Sequence, residues 1–186
     1  QTLRMKTLFT CHVPLMLAYG GMHIQIDQTT TALRELGVSV EPLRWWDDTQ
    51  TGDIFQNFGR LGTFYVRAAQ QNGMKVVVSE LLTAQGSRSA RRVRFQKILR
   101  RALVLALPRR RLELFSWDSY RLADANVVLT AWEAFLLKEL YGAPPEKIHV
   151  VPNGVEEVFL KCPAAKRGPW LVCTATITER KRVLEL

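Results

Sequence analysis

Apolar positions along the chain fall into short continuous runs and longer helical stripes that alternate, and these predict the elements. Thr7–Val13 is a run closed by Pro14 and reads as a buried strand. Gly20-Gly21 opens a helical segment to Leu36, with Met22, Ile26, Thr29, Leu33 and Leu36 on one face and Gly37 as its stop. Thr29-Thr30-Thr31 lowers the propensity of that helix, so packing must hold it. Val38–Leu43 and Asp53–Gln56 read as strands, and Phe58–Gln71 as a helix closing at Asn72-Gly73. Lys75–Ser79 carries three consecutive valines, the pattern of a strand covered on both faces. Ser89–Leu107 is a long helix ended by Pro108, Leu112–Ala123 another, and Asn126–Thr130 a strand. Trp132–Tyr141 is helical up to Gly142 and Pro144-Pro145. Ile148–Val151 is a strand running into Pro152-Asn153-Gly154, and Trp170–Thr174 is one more.

Strands that alternate with helices predict an α/β class: a doubly wound, mostly parallel Rossmann-like sheet with helices on both faces. Residues 156–169, rich in Pro, Ala, Lys and Gly towards their end, read as a linker. The expected organisation is a Rossmann-like domain over 1–155, that linker, and the start of a second domain over 170–186. Seventeen residues cannot bury a core, so the chain reads as cut inside the second domain.

Composition narrows the class. The 186 residues are 47% apolar and 23% charged, as a globular domain requires. No apolar run approaches the roughly 20 residues of a membrane span. Met5–Phe9 opens like a signal peptide, but His12 and Pro14 interrupt it. Cys11, Cys162 and Cys173 form no metal spacing, and His12, His23 and His149 are scattered, so a reducing cytoplasm and no metal are expected.

Charge is uneven. Ten cations and no acid lie between Arg88 and Arg111, more than the net charge of +9, so the remainder is near neutral. Within Ser89–Leu107 they are interleaved with Val93, Phe95, Ile98, Leu99, Ala102, Leu103 and Ala106. Three readings stay open. Arg91, Arg92, Arg94, Lys97, Arg100 and Arg101 face an anionic membrane; or they form the solvated side of a helix packed on the sheet; or they make a nucleic-acid patch. No aromatic interleaving or known motif supports the last, and nucleic acid is not expected as a partner.

Two ordered stretches carry a resemblance: Arg121-Leu-Ala-Asp-Ala-Asn-Val-Val-Leu-Thr130, and Leu136-Leu-Lys-Glu-Leu-Tyr-Gly-Ala-Pro-Pro-Glu-Lys-Ile-His-Val-Val-Pro-Asn-Gly-Val155. They resemble the end of the N-terminal domain in family 4 retaining glycosyltransferases of the GT-B fold. There a strand, a helix, a Gly-x-Pro-x-Glu-Lys-Ile turn and a Pro-Asn-Gly-Val hinge follow in that order. Gly20-Gly21 and the helix ending Leu33-Arg-Glu-Leu-Gly37 match the family's opening. The resemblance spans residues 5–186 and is weakest between 44 and 115. It implies transfer of a sugar from a nucleotide-diphosphate donor to a glycan or lipid-linked acceptor, with retention and without a metal or other cofactor. It further implies that the acceptor sits on this domain and the nucleotide on a C-terminal partner domain. A cytoplasmic location follows, peripheral at the inner face of a membrane.

Candidate residues follow from both readings. Gly20 and Gly21 offer bare N–H groups at a helix start to donor phosphates or acceptor; a tight turn is the plainer alternative. Lys181 resembles the family's lysine that neutralises the departing diphosphate, or is a solvated charge; the family's accompanying arginine is replaced by Thr176. Glu80, at a strand's C-terminal end, is the sole catalytic candidate and can accept sugar hydroxyls, or is a surface or capping glutamate. No histidine follows that strand, which departs from the family pattern. Trp45-Trp46 beside Asp47-Asp48 form a sugar platform or, more often for such pairs, packing. Pro152, Asn153 and Gly154 form a hinge. The two departures motivate a second function, a glycosyltransferase-like module that binds without chemistry.

Overall fold

The computed structural model describes residues 5–11, 20–82, 89–108, 115–163, 168–169 and 172. The chain divides into two compact units, Gln1–Asn153 and Gly154–Leu186. The first holds β1 (Lys6–Cys11), β2 (Ser39–Pro42), β3 (Ile54–Phe58), β4 (Lys75–Ser79), β5 (Ala125–Val128) and β6 (Ile148–Val150). They form one sheet in the order β2-β1-β3-β4-β5-β6, every neighbouring pair parallel. This is the α/β sheet that the alternation predicts.

Period-two alternation sorts each strand's side chains onto two faces. Leu8 stands opposite Phe55, and Phe55 opposite Val76, so these enter the larger core together with Val78 and Val128. Phe9 and Phe58 enter the smaller core with Val38 and Val40, their rings edge-on at 5.2 Å. Val76 and Val78 are fully buried, each contributing about 1.5–3 kcal/mol relative to exposure. Val77, on the opposite face, is only half-buried, so β4 is sealed on one side and partly covered on the other.

Helix α1 (Gly21–Glu35) covers the smaller core through Ile26 and Leu33, while Leu36, expected on that face, is exposed. Gly37 has φ 83° and its N–H reaches the Arg34 carbonyl at 2.9 Å, the left-handed stop that glycine supplies cheaply. On the other face lie α2 (Thr63–Gln71), α3 (Ala90–Ala106), α4 (Ser119–Leu122) and α5 (Ala131–Leu136). Thr130 and Glu133 cap α5 reciprocally. Helix α5 then widens into a π turn over Leu137–Tyr141 that faces Leu137, Leu140 and Tyr141 inward.

Three elements differ from expectation. Phe58 ends β3 instead of opening a helix, because Gly59 at φ 98° turns the chain there and α2 starts only after Gly62. Of the helix expected over Leu112–Ala123, the described residues show α4 alone. Residues 115–118 are turn, Ser116 stands at φ 50°, and 112–114 lie outside the described residues. The strand expected over Trp170–Thr174 also falls outside them, Val172 excepted. In the second unit, α6 (Glu157–Lys161) carries an exposed Lys161–Glu157 ion pair.

Candidate functional site

Because all six strands run the same way, the residues that follow them gather along one edge. The direction of winding reverses between β1 and β3, and ligands in open parallel sheets bind outside the strand ends at such a reversal. Gly20 and Gly21 open α1 at this edge, Trp45 and Trp46 follow β2, Arg60 follows β3, and Glu80 follows β4. Pro152 and Asn153 follow β6, and Gly154 begins the second unit.

Glu80 is neither a surface carboxylate nor a helix cap: it is 8% exposed and lies at the centre of a buried polar network. The Tyr120 hydroxyl donates to its Oε2, and its own N–H donates to Val127 at 2.9 Å. Arg60 Nε donates to the Tyr120 hydroxyl at 2.9 Å and Nη2 to the Tyr141 hydroxyl at 2.8 Å. The guanidinium carbon stands 5.1 Å from the Tyr141 ring centre, and the two tyrosine rings are 4.9 Å apart. Behind Glu80, Glu133 accepts from Leu82, Leu129 and Thr130 N–H groups.

Burial pushes the Glu80 carboxyl above its ordinary value, against the pull of Tyr120 and Arg60. Burial also raises the Tyr120 hydroxyl, reinforced by the Glu80 charge. For Arg60, burial works against the charge, but Tyr120, Tyr141 and Glu80 outweigh it and hold the group protonated. With its carboxylate turned onto Tyr120, Glu80 serves chemically as an anchored, desolvated acceptor.

The opposite holds at the end of β2. Trp45 is 57% and Trp46 82% exposed, so the packing alternative for this pair fails. Arg44 fixes the turn that carries them, paired with Asp47 at 2.8 Å and with Glu41 at 3.3 Å. Trp45 meets Tyr65 edge-on at 5.2 Å, and Tyr65 meets Phe64, so exposed aromatic rings cluster across β2 and α2. Gly20 and Gly21 are required neither by backbone angle nor by packing: a Cβ on either meets nothing within 4 Å, and α1 starts without a side-chain cap.

Helix α3 separates its cations. Lys97 pairs with Glu139 of the π turn, and Arg100 donates to the Leu140 and Tyr141 carbonyls while lying 5.6 Å over the Trp117 ring. These two, grouped in sequence with the membrane-facing residues, therefore point into the protein, Lys97 towards the Glu139 carboxylate and Arg100 towards the carbonyls of Leu140 and Tyr141. Arg91, Arg92, Arg94 and Arg101 are exposed beside Phe95, Ile98 and Leu105. The more apolar stripe of the helix thus faces outward, and Val93 alone is buried.

Lys181 and Thr176 lie outside the described residues. Among the described residues no three His, Cys, Asp or Glu side chains gather as a metal site requires, and no helix is long and apolar enough to cross a membrane. Arg60, Tyr120, Tyr141 and Glu133 were missed in the sequence. Only Glu133 left a signal, the Thr130-x-x-Glu133 capping pattern. A family model described as Glycosyltransferase Family 4 matches residues 54–158, more than half of the chain, and no curated protein matches it.

Proposed function

The chain belongs to glycosyltransferase family 4, and on that premise we propose that it is the acceptor-binding half of a retaining enzyme. That enzyme moves a sugar from a nucleotide-diphosphate donor to a glycan or lipid-linked acceptor without a metal. The observation that carries the reading is the exposed aromatic cluster of Trp45, Trp46, Phe64 and Tyr65 at the ligand-binding edge of the sheet. Large exposed apolar rings beside polar turns mark interaction surfaces, and flat rings suit the apolar faces of sugars. Trp45 and Trp46 form the platform; Gly20 and Gly21 leave N–H groups open to phosphate or acceptor oxygens. Lys181 neutralises the departing diphosphate, and Pro152, Asn153 and Gly154 form the hinge. A printed array of glycans and lipid-linked saccharides, probed with the full chain, is expected to show saturable, saccharide-selective binding. Uniform background across the array would overturn the reading.

The outward stripe of α3 supports a peripheral place on the inner face of an anionic membrane. Four exposed arginines flank Phe95, Ile98 and Leu105, and each cation contributes about 1 kcal/mol near such a surface. Flotation with vesicles containing phosphatidylglycerol is expected to carry the chain and to fail in high salt; equal recovery with neutral vesicles contradicts it. The engagement of Glu80 by Tyr120 favours a second reading, a module that binds sugar without chemistry. Sugar transfer to an array-positive glycan separates the two.

A further inference from the structure

Beneath α3 lies a pocket of about 250 Å³ bounded by that helix, the π turn and Trp117. Two of its lining residues carry shielded polar atoms without a hydrogen-bond partner: the acceptor Gln96 Oε1 and the donor Arg100 Nε. Buried polar atoms are nearly always paired in native proteins, so an orphaned donor and an orphaned acceptor beside one cavity mark an unfilled position. Arg60 is the second cation on the wall, two of its three nitrogens engaged by tyrosine hydroxyls. Among the described residues no carboxylate lines the pocket. Trp117, Leu99 and Leu103 supply an apolar side that ordered water does not favour. The space is below the size of most ligand pockets and suits a head group of roughly ten non-hydrogen atoms.

We propose that this pocket binds a phosphate ester that carries a free hydroxyl, the anion held by Arg60 and Arg100 and the hydroxyl donating to Gln96. The carbon skeleton rests on Trp117, Leu99 and Leu103. Two half-buried guanidinium groups in a low-dielectric wall select a compact anion, and Arg100 Nε gains the acceptor it lacks. Burial lowers the affinity of Arg100 for its proton, with the Arg121 charge adding to it against the pull of Asp118 and Tyr141, and a bound anion acts in the opposite sense. The site is independent of the sugar platform, because no residue is shared between them.

The test is calorimetric titration of the full chain with glycerol 3-phosphate, inorganic phosphate, glycerol and a short-chain phosphatidic acid kept below its micelle concentration. Glycerol 3-phosphate is expected to bind about ten-fold more tightly than inorganic phosphate, and glycerol not at all. Tighter binding of the lipid than of glycerol 3-phosphate assigns the head group to a membrane lipid; the reverse assigns it to a free metabolite. Gln96→Glu places a carboxylate in the pocket beside Arg100, so it is expected to weaken phosphate-ester binding ten-fold or more while the melting temperature holds or rises. Leu99→Trp narrows the pocket from a half-exposed position and gives the same loss without touching a polar group. Failure of every phosphate ester to bind saturably at millimolar concentration, or equal binding by wild type and both variants, overturns the proposal and leaves the pocket to water.

Discussion

The end of β4 and the end of β2 lie along one edge of one sheet, yet the first buries its polar groups and the second exposes its aromatic ones. Strand β4 is central, so chain converges on its end from several elements: Arg60 after β3, Tyr120 from α4 and Glu133 after β5. Strand β2 is the edge, with β1 as its one neighbour, and the turn after it leaves Trp45 and Trp46 exposed. Place in the sheet therefore outranks residue type. A carboxylate is drawn in where partners converge, and two tryptophans are left out where they do not. Glu80 in the first region is scaffold, with Arg60 reaching on to the pocket beneath α3, and the second region is surface offered to a ligand.

The contrast breaks most visibly at Arg60. Arg60→Met removes the cation from a buried network and leaves Glu80 and both tyrosine hydroxyls short of a partner. A loss of about 3 kcal/mol in urea unfolding is expected; a loss no larger than that of a surface substitution breaks the scaffold reading. Glu80→Gln keeps the shape and removes the charge, with an expected loss of about 1–2 kcal/mol near pH 4.5. The sign follows from the raised carboxyl. Between the ordinary value of 4.5 and the folded one, the folded state holds more protons than the unfolded state. Stability contributed by Glu80 is thus greatest below 4.5 and declines as pH rises through the folded value. The glutamine does not titrate, so the deficit of the variant shrinks towards neutral pH; a deficit that grows with pH contradicts the assignment. Smallest of all, Trp46→Ala is expected to change stability by no more than about 0.5 kcal/mol, since its ring is already in water. Leu105→Glu, 89% exposed on α3, likewise leaves the fold unchanged while abolishing vesicle flotation.

Much of the frame was legible because it is local. Three consecutive valines placed Lys75–Ser79 with its bounds correct, and Gly37 stopped α1 where the pattern said it would. The network was not legible, because its bonds are long-range: Tyr120 and Glu80 are 40 residues apart, Arg60 and Tyr141 81. Nothing in Phe58-Gly-Arg-Leu-Gly62 announces that its arginine will meet two tyrosines. Helix α3 misled for another reason. Its stripe Phe95, Ile98, Ala102 and Leu105 has the stronger apolar pattern, but the π turn draws Lys97 inward through the Glu139 carboxylate and Arg100 through its carbonyls. A π turn is invisible in hydrophobic periodicity. The expected helix over Leu112–Ala123 failed at Ser116, whose left-handed backbone no helical stripe foretells.

The contrast between scaffold and rim is tested most directly by titrating an array-positive glycan into three proteins: wild type, the Trp45→Ala/Trp46→Ala double variant, and Glu80→Gln. The account predicts that the double variant keeps its stability and loses binding about ten-fold or more, while Glu80→Gln loses stability and retains wild-type affinity. Wild-type affinity in the tryptophan variant, with binding lost in Glu80→Gln, would place the sugar on the buried carboxylate and contradict it.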